Sequence, residues 1–434
     1  MRSRTVKSST TVLACSLWIS LAAPPAAAGA AADGGQDASL IALGKRVEAE
    51  VAELRGLAVR KPIEWRVASK EQIRTYVSRT LEQQYAEGEL AREGLAYRAL
   101  GLLPADLDYA AFVIDLLEEQ VGGYYDPKKE IFFLADWIAP HLQETIIAHE
   151  LCHALQDQHF DIDAFVEREA GASDAMLARS ALVEGGATLV MMLYALEQSG
   201  VAVDPAMLEM EGWMGELMMS LSAAGFPTFA RAPSALRRML MFPYLKGLSF
   251  VGYGHRRGGW ARIDNVYGDL PASSEQILHP AKYFDQRDAP TAVALDFAAA
   301  HIPAGWQSIY QDGLGEFGCD LLLEPVGERA EIERAAAGWD GDRFQVFQNG
   351  ERLAWMSWSV WDTERDAVEF AGAFAKTVRH RHPDFERQPV GDQPLLRWRH
   401  ADGRAVLLAR RGPGVLIVDG LPAAAAEALL GAAP

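Results

Sequence analysis

The sequence of 434 residues contains only three cysteines, Cys15, Cys152 and Cys319. Small secreted folds that lack a sufficient core are held together by several disulfides, and so few cysteines exclude such a framework. Outside the N-terminal leader, one bridge between Cys152 and Cys319 is the most that the chain can form. The fold must therefore depend on a hydrophobic core, for which 50% apolar residues provide the material.

The sequence also lacks an excess of positive charge. It has 41 lysines and arginines against 59 aspartates and glutamates, which gives a formal net charge of −18. Proteins that bind nucleic acid or anionic membrane surfaces usually carry a basic patch or stripe. We therefore expect a soluble acidic protein that binds neither.

The apolar run near the N-terminus is short. It spans residues 12–23, whereas a helix needs roughly twenty residues to cross a bilayer. Basic residues precede it and small residues follow it, which is typical of a cleaved signal peptide. We expect a signal peptide over residues 1–30, a periplasmic or extracellular location and no membrane span in the mature chain. Because no apolar segment precedes Cys15, we expect cleavage and not lipid attachment at that cysteine.

Hydrophobic spacing divides the remaining chain into two parts. After a linker of small residues at 31–37, helical and strand patterns alternate as far as about residue 335. Beyond it, one predicted helix lies among predicted strands at 343–348, 353–360, 395–399, 405–409 and 415–418. The sequence predicts an α+β fold, with a catalytic domain over residues 38–335 and a small α+β accessory domain over residues 338–434.

The motif HELCH at residues 149–153 carries the clearest chemical signal. Apolar residues at helical spacing predict a helix here, so His149 and His153 lie one turn apart and can bind one metal ion. Zinc is the expected ion, and Glu150 is placed to accept a proton from water that zinc acidifies. Asp157, one turn after His153, is a candidate for orienting that ligand. A β-hairpin is predicted just before the helix.

A catalytic zinc needs a third protein ligand and an open fourth position. Glu184 is one candidate, because it lies in an apolar helix predicted from about residue 175 to 198, where an unpaired carboxylate is costly. Gly185 and Gly186 follow it, and each costs a helix about 1 kcal/mol relative to alanine. Close approach of this helix to the HELCH helix would offset that cost.

His159 is the alternative third ligand, because HELCHALQDQH has the histidine spacing of the metzincin signature. That signature has a glycine at a sharp turn, where this sequence has Gln156. A residue with a Cβ atom adopts the positive φ of such a turn with difficulty. We therefore expect Glu184 to be the ligand and His159 to form an ordinary hydrogen bond beyond the helix end.

Two further segments resemble those of gluzincin aminopeptidases. The run EGGA at 184–187 resembles their Glu-Gly-x-Ala segment, and PYLKG at 243–247 resembles their Pro-Tyr-x-Lys-Gly segment. The resemblance implies a zincin-like, thermolysin-like catalytic domain with one zinc. It implies three zinc ligands: His149, His153 and Glu184. It also implies Glu150 as general base and Tyr244 as hydrogen-bond donor to the oxyanion. Most of the mature chain resembles a group of uncharacterised secreted prokaryotic HExxH proteins.

The Gly-Ala-Met-Glu-Asn strand with which those aminopeptidases recognise a free amino group is absent. We therefore predict an exported zinc-dependent endopeptidase that acts on proteins or peptides, with the strand at 131–134 as the edge that pairs with an extended substrate. Tyr244 is equally interpretable as a core tyrosine, and His279 is a second candidate for the oxyanion donor. The alternative function is that of a non-catalytic exported zincin-fold protein with a binding or envelope-structural role.

Overall fold

The computed structural model describes residues 34–120, 123–126, 131–135, 140–166, 171–200, 226–389 and 395–434. The predicted signal peptide and Cys15 lie outside the described residues. Helices and strands occur together along the chain, so the fold is mixed α+β, as expected. The described residues form two compact units. The first is drawn from residues 34–87, 109–168 and 176–271, and the second from 88–108, 169–175 and 272–434.

Helices and strands are numbered separately, each in chain order. The helices are α1 (Gly34–Arg55), α2 (Lys70–Gln84), α3 (Glu89–Ala99), α4 (Tyr109–Gln120), α5 (Pro140–Phe160), α6 (Asp163–Val166), α7 (Ser173–Gln198), α8 (Pro227–Arg231), α9 (Ser234–Val266), α10 (Ser274–Leu278), α11 (Ala281–Phe284), α12 (Gly315–Leu323), α13 (Arg329–Ala336), α14 (Glu364–Arg381) and α15 (Ala423–Ala432). The strands are β1 (Glu64–Ala68), β2 (Gly123–Asp126), β3 (Ile131–Ala135), β4 (Gln307–Asp312), β5 (Trp339–Asn349), β6 (Arg352–Trp361), β7 (Glu386–Arg387), β8 (Leu395–Arg399), β9 (Arg404–Arg411) and β10 (Gly414–Pro422).

The first unit contains a three-stranded sheet in the order β1–β3–β2. Strands β2 and β3 are antiparallel neighbours, which confirms the hairpin predicted before the HELCH helix. Strand β1 runs parallel to β3 on its other side. The expectation that residues 131–134 form the sheet edge is therefore wrong. The apolar run of β3 is typical of a central strand buried on both faces, and among the described residues β2 is the edge near α5.

Helix α5 carries the HELCH motif and packs on α1 and β2. Its residues Ile147, Leu151 and Leu155 enter a core that includes Trp65 and Phe132, whose ring centroids are 4.6 Å apart. Cys152 belongs to the same core and is a buried free thiol, as is Cys319 in the second unit, so no disulfide joins them. With its apolar side buried against these residues, α5 presents His149 and His153 on another side.

Helix α7 is almost continuously buried along its middle turns. By length and composition alone it could cross a membrane, but 78% of its apolar window is buried inside the protein, as in a core helix. A Cβ atom at Gly185 would lie 2.1 Å from the carbonyl carbon of Gly247 in α9, so these two helices touch backbone to backbone. The close backbone approach predicted with the HELCH helix is made at Gly185 with α9 instead, and at Gly186 a Cβ atom would meet the Gln156 side chain of α5 at 2.8 Å.

We expect Gly185→Ala to destabilise the first unit, because the new methyl group has no room beside the Gly247 backbone. Overpacking of this kind costs about 1–3 kcal/mol, and more where backbone must move. Thermal or denaturant unfolding measures the loss. Gly372→Ala is the control, because its Cβ atom would meet nothing within 4 Å. An unchanged unfolding free energy in Gly185→Ala would contradict the described α7–α9 contact.

The second unit contains a seven-stranded antiparallel sheet in the order β4–β5–β6–β10–β9–β8–β7. One face packs on α14 through a core that holds Trp355, Trp361, Phe370 and Phe374, while α15 covers the other face. The strands and the helix predicted from the C-terminal sequence all occur. The core on the α14 side also takes side chains from α3, α12 and α13. The unit combines residues 272–434 with segments from earlier in the chain, among them the distant α3.

Candidate metal centre

Two helices of the first unit bring together three side chains that could hold a metal ion. His149 and His153 extend from α5 and Glu184 from α7, and all three are buried, with at most 5% of their surface exposed. The two Nε2 atoms are 3.0 Å apart, and Glu184 Oε2 lies 3.1 Å from His149 Nε2 and 3.3 Å from His153 Nε2. The structure thus places three potential donor atoms at the corners of one small triangle.

This triangle fits a tetrahedral zinc ion. Zinc binds imidazole nitrogen and carboxylate oxygen at about 2.0–2.2 Å, and tetrahedral angles then separate two donors by about 3.3–3.5 Å. The observed separations of 3.0–3.3 Å are close to that value. Two histidines and one glutamate are also a typical donor set of catalytic zinc, with one coordination position left for water or substrate. These residues therefore have the chemistry and the spacing to hold the ion.

Among the described residues, a second group of acidic side chains has the spacing of metal ligands, but it surrounds a lysine. Glu275, Asp288 and Asp362 lie around the amino group of Lys282, whose Nζ is 2.6–3.0 Å from one oxygen of each. Lysine supplies the positive charge that a metal ion would otherwise supply, so this group is a salt-bridge cluster.

His159 is not part of this group of three side chains. Its Nε2 lies 2.7 Å from the carbonyl oxygen of Ala58, which accepts a hydrogen bond from the ring. Helix α5 continues through Gln156 and ends at Phe160, so the sharp turn of the metzincin signature is missing. Of the two candidates for a third ligand, the structure places only Glu184 next to His149 and His153.

A family model described as a domain of unknown function (DUF8575) matches residues 305–430. No curated protein and no solved structure matches the chain. The matched segment runs from the residues before β4 into α15 and belongs to the second unit. His149, His153 and Glu184 all lie outside it.

Glu150 is fully buried beside this triangle. Burial raises the pKa of its carboxyl group to about 8, and the charge of Glu184 acts in the same direction. His153 and the backbone N–H of Tyr125 oppose the rise. A carboxyl group with a pKa near neutrality can both accept and donate a proton under working conditions, as a general base that later acts as an acid must.

Tyr244 of α9 also lies close to the site. Its ring centroid is 6.1 Å from that of His149, and its side chain is buried in a core that includes Tyr124. It stands in the interior of α9 directly after Pro243, and not at a helix start. His279 belongs to the second unit, where its Nε2 is 2.8 Å from Glu316 Oε1.

The titrations of the three potential ligands are coupled. Burial lowers the pKa of His149 to about 4, although Glu184 favours its protonation. Burial would also lower the pKa of His153, but Glu184, Glu150 and the hydrogen bond to Gln156 outweigh it and raise the pKa to about 9. The two histidines in turn outweigh the effect of burial on Glu184 and lower its pKa. Without metal, a proton on His153 therefore balances the negative charge of Glu184.

We expect zinc binding to release about one proton or more per ion at pH 7–8. His153 is protonated below its pKa of about 9 in the metal-free protein and must be neutral to bind zinc. Zinc affinity should therefore rise about tenfold per pH unit through this range. Calorimetric titration in buffers of different ionisation enthalpy counts the protons. Zinc binding without proton release would show that His153 is neutral beforehand.

Gln156 is also part of this site, although the sequence predicted nothing for it beyond the absence of a turn glycine. Its side-chain oxygen lies 2.9 Å from His153 Nδ1, the position for which Asp157 was the candidate. The spacing of three residues along one helix was the available signal, because side chains at i and i+3 lie on the same face.

Proposed function

We propose that this protein is an exported zinc-dependent peptidase that hydrolyses internal peptide bonds of protein or peptide substrates. The observation that carries the proposal is the triangle of His149 Nε2, His153 Nε2 and Glu184 Oε2, with sides of 3.0–3.3 Å, beside the buried carboxyl group of Glu150. We further propose a zincin-like fold for the first unit. An active-site helix with both histidines, a hairpin before it and a second helix with the glutamate support that assignment.

The residues around the triangle suit hydrolysis by water. When bound, zinc would supply Lewis acidity that polarises a carbonyl group and acidifies water. Glu150 takes one proton from the attacking water as its oxygen bonds to the carbonyl carbon. It then passes that proton to the leaving nitrogen as the C–N bond breaks. Tyr244 donates a hydrogen bond to the negatively charged oxygen that develops on the former carbonyl.

Strand β2 is the proposed place for the substrate backbone. Among the described residues it forms the sheet edge that contacts α5, the helix that carries Glu150. An extended peptide can add to such an edge through main-chain hydrogen bonds, and this arrangement does not require a free peptide terminus. We therefore favour an endopeptidase over an aminopeptidase, with β2 in the role that the sequence analysis gave to β3.

The burial of the Glu150 carboxyl group favours a catalytic function over a purely structural one. A fully buried carboxyl group with a raised pKa costs stability, because the unfolded chain ionises it freely at neutral pH. A protein that used this fold only for binding or architecture would gain stability from an apolar or amide side chain at residue 150. Proton transfer therefore explains a carboxylic acid at residue 150 more readily than a binding or architectural role does.

Hydrolysis of an unfolded, casein-like substrate tests the proposal. We expect the purified protein to yield internal fragments in mass spectrometry, to lose activity with a zinc chelator and to regain it when zinc is restored. Zinc binding without cleavage of any of several unfolded proteins and peptide libraries would favour the non-catalytic alternative.

A further inference from the structure

The Gln156 side chain lies between the two helices that carry the proposed ligands. Its Oε1 is 2.9 Å from His153 Nδ1 on α5. Its Nε2 donates to the carbonyl oxygen of Val183 on α7 at 3.0 Å and to the hydroxyl oxygen of Tyr267 at 2.9 Å. The residue after Val183 is Glu184, so one carboxamide links one histidine directly with the backbone next to the glutamate.

Only one orientation of this carboxamide satisfies all its neighbours. The Val183 carbonyl only accepts hydrogen bonds, so the amide NH₂ group must face it and the amide oxygen must face His153. That oxygen in turn only accepts, so His153 must carry a proton on Nδ1. Nε2, which faces His149 and Glu184, is then the nitrogen that presents a lone pair when the ring is neutral.

The surroundings hold the carboxamide in this position. Gln156 is fully buried, and both of its amide protons and its oxygen are used in the three hydrogen bonds described. Tyr267 is itself fixed, because its ring stacks on Phe160 with centroids 4.1 Å apart and planes inclined by 5°. A Cβ atom at Gly186 would lie 2.8 Å from Gln156 Nε2, so a side chain at residue 186 would displace the amide.

We propose that Gln156 is a positioning residue of the metal centre, which fixes the ring and the tautomer of His153 and ties α5 to α7 beside Glu184, while Gly186 leaves the space that the carboxamide occupies. This inference rests on the proposed zinc site and deepens it. It also explains separately why each of the two residues after Glu184 is a glycine. Gly185 allows α7 to touch α9, and Gly186 makes room for Gln156.

Zinc affinity of four variants, measured by competition with a chromophoric chelator at constant pH, tests the inference. Gln156→Met keeps the length of the side chain but offers no hydrogen bond to His153, and we expect affinity to fall about 10–100-fold. Gly186→Ala should lower affinity in the same direction. Gln156→Glu still accepts from Nδ1–H but loses the donation to the Val183 carbonyl, so it should lower the affinity less than Gln156→Met does. Tyr267→Phe removes one support of the amide and should lower affinity less than Gln156→Met.

Thermal unfolding of each zinc-free variant separates positioning from a structural role. The inference requires that Gln156→Met loses more affinity than Gln156→Glu, whatever the unfolding temperatures. If both variants lose affinity equally, or if Gln156→Met unfolds earlier but binds zinc as tightly as the parent, Gln156 is structural and the inference is wrong. If the parental protein itself binds no zinc, the proposed function fails first, and that result is distinct from a failure confined to the variants.

Discussion

Glu150→Gln is expected to lower the rate of peptide hydrolysis by about 10²–10⁴-fold, the usual contribution of a general base, while zinc remains bound. Glutamine has nearly the same shape as glutamate but cannot accept a proton from water. The proposed zinc ligands His149 and His153 stay in place on the same helix. The expected signature is therefore a fall in kcat with one zinc per chain, measured by rate assays and elemental analysis of the same preparation.

Glu144→Gln is the matched control for this experiment. Glu144 lies on the same helix, but it pairs with Arg46 and accepts a hydrogen bond from Tyr194, away from the proposed ligands. Its replacement should leave the rate nearly unchanged. Parental activity in Glu150→Gln would show that another group accepts the proton, and the proposed mechanism would then be wrong.

Glu184→Ala is expected to abolish stoichiometric zinc binding, whereas His159→Ala should retain it. With Glu184 removed, two histidines remain, and a site reduced from three protein ligands to two loses a large share of its binding free energy. His159 donates a hydrogen bond to the Ala58 carbonyl and is not one of the three proposed ligands, so its loss should affect stability slightly and zinc not at all. Zinc per chain after dialysis against a weak chelator distinguishes the two variants.

Folding must be verified in both variants before the zinc contents are compared. Without metal, Glu184 pairs with protonated His153 and forms a hydrogen bond with His149, so its removal also leaves the charge of His153 uncompensated. Circular dichroism at the temperature of the zinc measurement provides this check. A folded Glu184→Ala protein that still holds one zinc per chain, beside a zinc-free His159→Ala protein, would reverse the assignment of the third ligand.

The sequence predicted those parts of the site that depend on local spacing. The HELCH helix, the hairpin before it and the helix with Glu184 all occur, because helical and strand periodicities are visible in short windows. The cost of a carboxylate and two glycines inside an apolar helix identified Glu184 correctly as the residue that lies beside His149 and His153. That inference used only the free-energy costs of glycine and of an unpaired carboxylate inside an apolar helix.

The sequence could not predict features that depend on pairing between distant segments. The place of β3 in the middle of its sheet follows from the parallel β1, nearly seventy residues earlier in the chain. The partner of Gly185 is Gly247, and nothing near Glu184 in sequence indicates it. The place of α3 in the core of the second unit is a feature of the same kind, because α3 lies almost two hundred residues before most of that unit.

Gln156 shows a different limit. The sequence identifies it only as a residue that stands where the metzincin signature has a turn glycine. In the structure its carboxamide links His153 to the backbone beside Glu184. A buried amide is interpretable only when its donors and acceptor can be matched with partners, and those partners come from three separate segments of the chain.

Anomalous diffraction at the zinc absorption edge tests the central claim most directly. In crystals grown with one equivalent of zinc, data collected on both sides of the edge should give one strong difference peak. We expect it at about 2.0–2.2 Å from His149 Nε2, His153 Nε2 and one Glu184 oxygen. A well-occupied peak at His159 or elsewhere, with these three side chains still in direct contact with one another, would contradict the assignment of this site as a zinc centre.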